Sequence, residues 1–70
     1  MNDTVLQKDR LPKRLYTVRE ASIYLGRSES ATRELIWNGN IPCIKVGRRI
    51  HIDIYDLDQF IETHKMQFTY

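Results

Sequence analysis

The chain has 70 residues, 41% of them hydrophobic and 29% charged, a composition that fits one globular domain and excludes a second. Cys43 is the only cysteine, which excludes an intramolecular disulfide and a cysteine-rich metal cage, and no apolar run approaches the ~18 residues that span a bilayer. The net charge is only +2, but it is segregated: residues 1–50 carry ten Lys and Arg against five acids, and residues 51–70 carry one against four.

Residues 1–14 show no sustained hydrophobic period and contain Pro12, so they are expected to form a flexible basic arm. Lys8, Arg10, Lys13 and Arg14 on this arm can be solvated charges or phosphate contacts. The start Met1-Asn2-Asp3-Thr4 lacks the basic-then-apolar order of a secretion signal, and with a lone cysteine this points to the cytoplasm.

The spacing Thr17-Val18-Arg19-Glu20 is that of a capping box and predicts a helix start. Val18, Ala21 and Leu25, with Tyr24 beside them, give an apolar stripe about two turns long. Gly26, which takes the left-handed conformation at low cost, ends that helix. Ser28 offers the next N-cap almost at once, and Ala31, Thr32, Leu35 and Ile36 form the next apolar face until Asn38-Gly39-Asn40 stops it. Trp37 is expected to pack at the end of this second helix.

Beyond Pro42 the pattern changes to alternation. Ile44 and Val46 alternate with Cys43 and Lys45, and Ile50, Ile52 and Ile54 alternate with His51 and Asp53, which predicts two short strands. The connection Gly47-Arg48-Arg49 would place two arginines at the tip of a hairpin. Asp53 can cap a last helix with Leu57, Phe60, Ile61 and His64 on one face, and residues 67–70 form a tail.

A helix, a tight turn and a second helix form the unit that lays its second helix in the major groove of DNA, and an Arg-tipped hairpin can add contacts beside it. By spacing, Arg27, Ser28, Ser30, Ala31 and Arg33 lie in or near the first turns of the second helix, where side chains reach base edges and phosphates. Lys45, Arg48 and Arg49 are the candidates on the hairpin. Ser28 can serve purely as a cap, and Arg33 can pair with Glu29 four residues earlier, a surface pair too weak to resist a phosphate or base.

Asp53, Asp56, Asp58 and Glu62 are expected in the first two turns of the last helix, where acids favour the dipole, rather than in a metal or acid–base site. His51 and His64 have no neighbouring Cys or His to complete a zinc site, and Cys43 is expected to pack as a small hydrophobe. With no Gly-rich phosphate loop and no nucleophile motif, neither an enzyme nor a cofactor is expected.

Residues 15–61, which run LYTVREASIYLGRSESATRELIWNGNIPCIKVGRRIHIDIYDLDQFI, resemble the excisionase-type group of MerR-like winged helix-turn-helix domains. The matching elements include Tyr16-Thr17-Val18 with Glu20-Ala21, Leu25-Gly26 before Ser28-Glu29-Ser30, and Arg33 with Leu35-Ile36. Gly39, Ile41-Pro42, Val46-Gly47-Arg48-Arg49 and Asp56-Leu57 with Phe60 follow in order. Ser22 stands where alanine is frequent, Glu34 where a second basic residue is common, and Ile50-His51 where an aromatic-basic pair is frequent.

The resemblance implies an α+β fold: a helix-turn-helix, a two-stranded wing and a C-terminal helix over residues 15–66. It also implies a module that binds double-stranded DNA beside an integrase, bends it and favours excision; the small size of the domain adds the expectation that several copies or a partner act cooperatively. A small transcriptional regulator would use the same contacts, and a protein-interaction adaptor would keep the fold without binding DNA.

Overall fold

In the computed structural model, which describes residues 13–68, the helices begin where the sequence supplies side chains to cap them. Helix α1 (Val18–Leu25) starts at Thr17, whose hydroxyl accepts from the Glu20 N–H at 3.1 Å while the Glu20 carboxylate accepts from the Thr17 N–H at 2.9 Å. Both ends of the expected capping box are made. Helix α2 (Glu29–Trp37) starts at Ser28, whose hydroxyl accepts from the Ala31 N–H, and helix α3 (Ile54–Thr63) at Asp53, whose carboxylate accepts from the Tyr55 N–H.

Two of the helices are closed by a left-handed glycine. After α1, Gly26 at φ 72° lets its N–H donate to the Ile23 carbonyl and that of Arg27 to the Ser22 carbonyl. After α2, Gly39 at φ 81° repeats the arrangement, its N–H donating to Ile36 and that of Asn40 to Leu35. This paired closure turns the chain sharply without leaving the last carbonyls bare. Only three residues, 26–28, therefore separate α1 from α2.

A three-stranded antiparallel sheet completes the domain, with β1 (Leu15–Thr17), β2 (Ile44–Val46) and β3 (Arg49–Asp53) in the order β1-β3-β2. The expected hairpin is β2–β3, and its connection is shorter than the sequence suggests. Val46 pairs with Arg49, so the turn is Gly47-Arg48 alone and Arg49 is the first strand residue. Gly47 at φ 63° followed by a negative φ at Arg48 is the order of a type II′ turn, whose twist suits a hairpin. The strand β3 stops at Asp53 because that residue turns to cap α3, so Ile54 opens the helix instead of extending the alternation.

Strand β1 is the element that periodicity alone does not show. Its three residues are too few for an alternating pattern, and Thr17 is at once its last residue and the cap of α1. Its pairing with β3, Tyr16 opposite Ile52, makes the wing part of a sheet anchored to the first helix.

Ala21, Ile41, Ile52 and Leu57 are the buried hydrophobic residues, with Tyr16, Val18, Leu25, Leu35, Ile36, Ile50 and Phe60 packed against them. Ser22 and Thr32 are buried too, and each hydroxyl donates to a backbone carbonyl, Arg19 at 2.7 Å and Ser28 at 2.9 Å. A serine in place of alanine thus keeps its polar group satisfied inside the turn of its own helix.

This packing sets the faces of the hairpin and corrects two expectations. Directly paired residues share a sheet face, so Lys45 lies on the inner face with Ile50 while Ile44 and Val46 lie on the outer face with His51 and Arg49. Cys43 is exposed rather than packed, because Ile41, at 1% exposure, fills the core ahead of β2. Trp37 is 72% exposed, because it follows Ile36 by one residue and so points about 100° away from that core-facing side chain.

Candidate nucleic-acid interface

The short turn through Arg27 fixes α2 against α1, with Thr32 buried and Ala31, Leu35 and Ile36 half-buried on the inward side. The opposite side carries Ser30, Arg33, Glu34 and Trp37, all exposed. Of the sequence candidates, Arg27 and Ser28 sit at the head of α2, Ser30 and Arg33 on its outward face, and Ala31 is half-buried. Ser28 is engaged as the cap, as its spacing suggests, and this leaves the Glu29 and Ser30 N–H groups at the open end of the helix. Arg33 lies 3.5 Å from the Glu29 carboxylate, with both side chains nearly half exposed, so the expected pair forms but is solvent-screened.

The second set of candidates occupies the wing. Lys45 on the inner face, Arg49 on the outer face and Arg48 in the turn are exposed, so the hairpin carries positive charge on both sides and at its tip. A ribbon charged in this way suits a groove, whose two phosphate walls flank whatever enters it.

The cations divide by whether an acid holds them. The Lys13 ammonium pairs with the Glu20 carboxylate, and Lys65 lies 2.8 Å from Glu62. Arg14 donates from Nε and Nη2 to Asp53 at 3.1 and 3.0 Å, and its guanidinium sits 4.9 Å from the Tyr55 ring centre. The Arg14 carbonyl also accepts from the Ile54 N–H at 2.8 Å. The last two residues of the expected arm are therefore tied to the domain, while Lys8, Arg10 and the rest of that arm lie outside the described residues. By contrast, no acid among the described residues pairs with Arg19, Arg27, Lys45, Arg48 or Arg49.

Electrostatics follows these contacts. The Arg14 hydrogen bond, together with the Tyr55 N–H, holds the Asp53 carboxyl below its ordinary range, and Asp53 in turn raises Arg14. Lys13 and the Thr17 N–H lower Glu20 in the same way. The Tyr24 hydroxyl donates to Asp58 at 2.5 Å, which raises the tyrosine's pKa. These groups hold the arm and α3 to the body.

The acids of the last helix are spread along its length. Asp56 is in the first turn of α3 and Asp58 in the second, but Glu62 falls in the last turn, not the first two as its spacing suggests; Lys65 offsets the unfavourable dipole there. No group of three His, Cys, Asp or Glu among the described residues could hold a metal ion. His64 closes α3, its ring 4.2 Å from that of Phe60. An open cleft is lined by Lys13, Tyr16, Glu20, Ile23 and Tyr24.

No helix among the described residues is long and apolar enough to cross a membrane. No curated protein sequence matches the chain. The sequence model of a family described as a helix-turn-helix domain matches residues 15–65, a span that runs from the first residue of β1 to just past α3. The chain accordingly belongs to this excisionase-like helix-turn-helix family and is a DNA-binding helix-turn-helix protein.

Proposed function

We propose that the chain is a sequence-specific architectural DNA-binding protein of the cytoplasm, and that it serves as an excisionase which bends DNA and assists an integrase. In this reading α2 enters the major groove, with Arg33 and Ser30 toward base edges. Arg27, Ser28 and the neighbouring N–H groups meet phosphate, and Ala31, half-buried in the first turn of α2, is the least exposed of the proposed contacts. Lys45, Arg48 and Arg49 carry the wing along the adjacent backbone. Catalysis forms no part of this role.

The observation that carries this reading is the sorting of the cations. Lys13, Arg14 and Lys65 are held by acids and Arg33 has only the solvent-screened Glu29 at 3.5 Å, whereas Arg27 and the three wing cations, like Arg19 on α1, have no such partner among the described residues. A cation without an acid partner has no ion pair to break when phosphate arrives, so these are the ones available to displace counterions. In this reading the head of α2 and the hairpin supply two sets of such cations to one duplex.

The test is Arg33→Ala against two duplexes at fixed salt, one selected by the protein from a randomised pool and one random. A bidentate base contact is worth ~1–3 kcal/mol, so the selected duplex should lose about ten- to a hundredfold in affinity and the random one far less. Equal losses on both would demote Arg33 to a phosphate contact.

A further inference from the structure

Trp37 has no structural employment that explains it. At 72% exposure it leaves most of a large indole in water, at the last position of α2. With about 100° per residue, it lies about 40° around the helix from Arg33 and about 20° from Ser30. It therefore completes the outward stripe Ser30, Arg33, Glu34, Trp37, whose inward counterpart is Thr32, Leu35 and Ile36. The stretch from Ser30 to Trp37 spans about 10 Å of axis, enough to carry the helix from base edges to the wall of the groove.

We propose that Trp37 is a DNA contact in its own right, packing its indole against the sugar–phosphate wall and donating Nε1–H to a phosphate oxygen. The proposal rests on the reading of α2 as the groove-bound helix. An indole suits that place: it offers a flat apolar face for deoxyribose and a single N–H donor for phosphate, with no acceptor to repel it. The location of Trp37 beside Arg33 favours DNA over a protein partner, because the surface shared with that cation is the one that the groove-bound reading of α2 turns to the duplex.

Trp37 is the only tryptophan in the chain, so its own emission reports the contact. The full-length protein is titrated with the selected duplex, excited where tyrosine does not absorb, while the anisotropy of a label on the DNA records binding independently. Emission should change as the duplex saturates the protein, and iodide should quench it less in the complex. Trp37→Ala, which leaves the core untouched, should keep its circular dichroism and weaken binding about tenfold on selected and random duplexes alike, since a wall contact reads no sequence. The salt slope should stay as in the wild type, because a neutral donor releases no counterion.

Unchanged emission and unchanged iodide quenching on a duplex that anisotropy shows to be bound would overturn the proposal and leave DNA binding intact. A Trp37→Ala variant that binds DNA normally but loses self-association would overturn it in favour of a protein contact. Absence of binding by anisotropy would sink both this contact and the groove-bound reading of α2.

Discussion

Asp53 shows how much one residue can do at a junction. It ends β3, caps α3 by accepting from the Tyr55 N–H, and holds Arg14 at 3.0 Å, so it ties the chain ahead of β1 to the last helix. Its carboxyl is lowered by Arg14 and by the backbone donor. A carboxyl lowered in the folded state adds stability that is present above its unfolded pKa and lost as pH falls through the folded value. Glu20, lowered by Lys13, acts with the same sign, so acid should unfold the domain progressively below the ordinary carboxylate range. Asp53→Asn keeps an oxygen for the cap but removes the charge that draws Arg14. Urea midpoints across acidic pH should therefore fall less steeply for the variant than for the wild type, and the two should converge in strong acid. Parallel curves would mean that the Arg14 pair does not persist in solution.

At the residue scale the sequence reads best where a side chain has a local partner. The capping box at Thr17 and Glu20 and the caps at Ser28 and Asp53 involve residues two or three apart, so spacing alone finds them. Trp37 and Cys43 defy expectation because residue type suggests burial, whereas exposure depends on which direction the helix or strand happens to face. For Trp37 a signal does exist: it sits one position past the Leu35-Ile36 pair and in phase with Ser30 and Arg33.

Among the elements, the wing is where local rules and function meet. Gly47 at φ 63° permits a turn of two residues, and that tightness sets the register that puts Lys45 and Arg49 on opposite faces. The alternation of Ile44 and Val46 is visible in the sequence, but the face they occupy is not, because a period of two gives phase only relative to a partner strand. Strand β1 stays hidden for a related reason: three residues carry no period, and its existence depends on β3, more than thirty residues away. Replacing Arg48 and Arg49 together with Ala should leave the turn intact, since Gly47 sets it. Affinity should drop on any duplex, and the slope of log affinity against log salt should flatten by ~0.9 for each phosphate that is no longer neutralised. Circular dichroism checks the fold, and a slope identical to the wild type would show that the wing tip does not touch the backbone.

For the whole molecule, size decides what one copy can achieve. A single module of one helix and one wing buries roughly 600–1,000 Å² on DNA, an area that seldom gives genomic specificity unaided, so the proposed role calls for neighbouring proteins or further copies. The fold leaves surface for them: α3 carries Asp56, Asp58 and Glu62, Phe68 beyond it is 71% exposed, and Tyr70 of the expected aromatic tail lies outside the described residues. Asp58 is held by Tyr24 on α1, which places this acidic helix beside the first helix and not on the outward side of α2. Bending would bring proteins bound on either side of the site together, at an elastic cost of about 1–6 kcal/mol offset by the interactions that the bend permits. Circularly permuted duplexes should therefore migrate with a position-dependent retardation when this protein is bound. In recombination assays with a cognate integrase, adding the protein should raise excision and lower integration. Straight DNA with both reactions unchanged would rule out the excisionase role and favour a small transcriptional regulator that uses the same helix and wing.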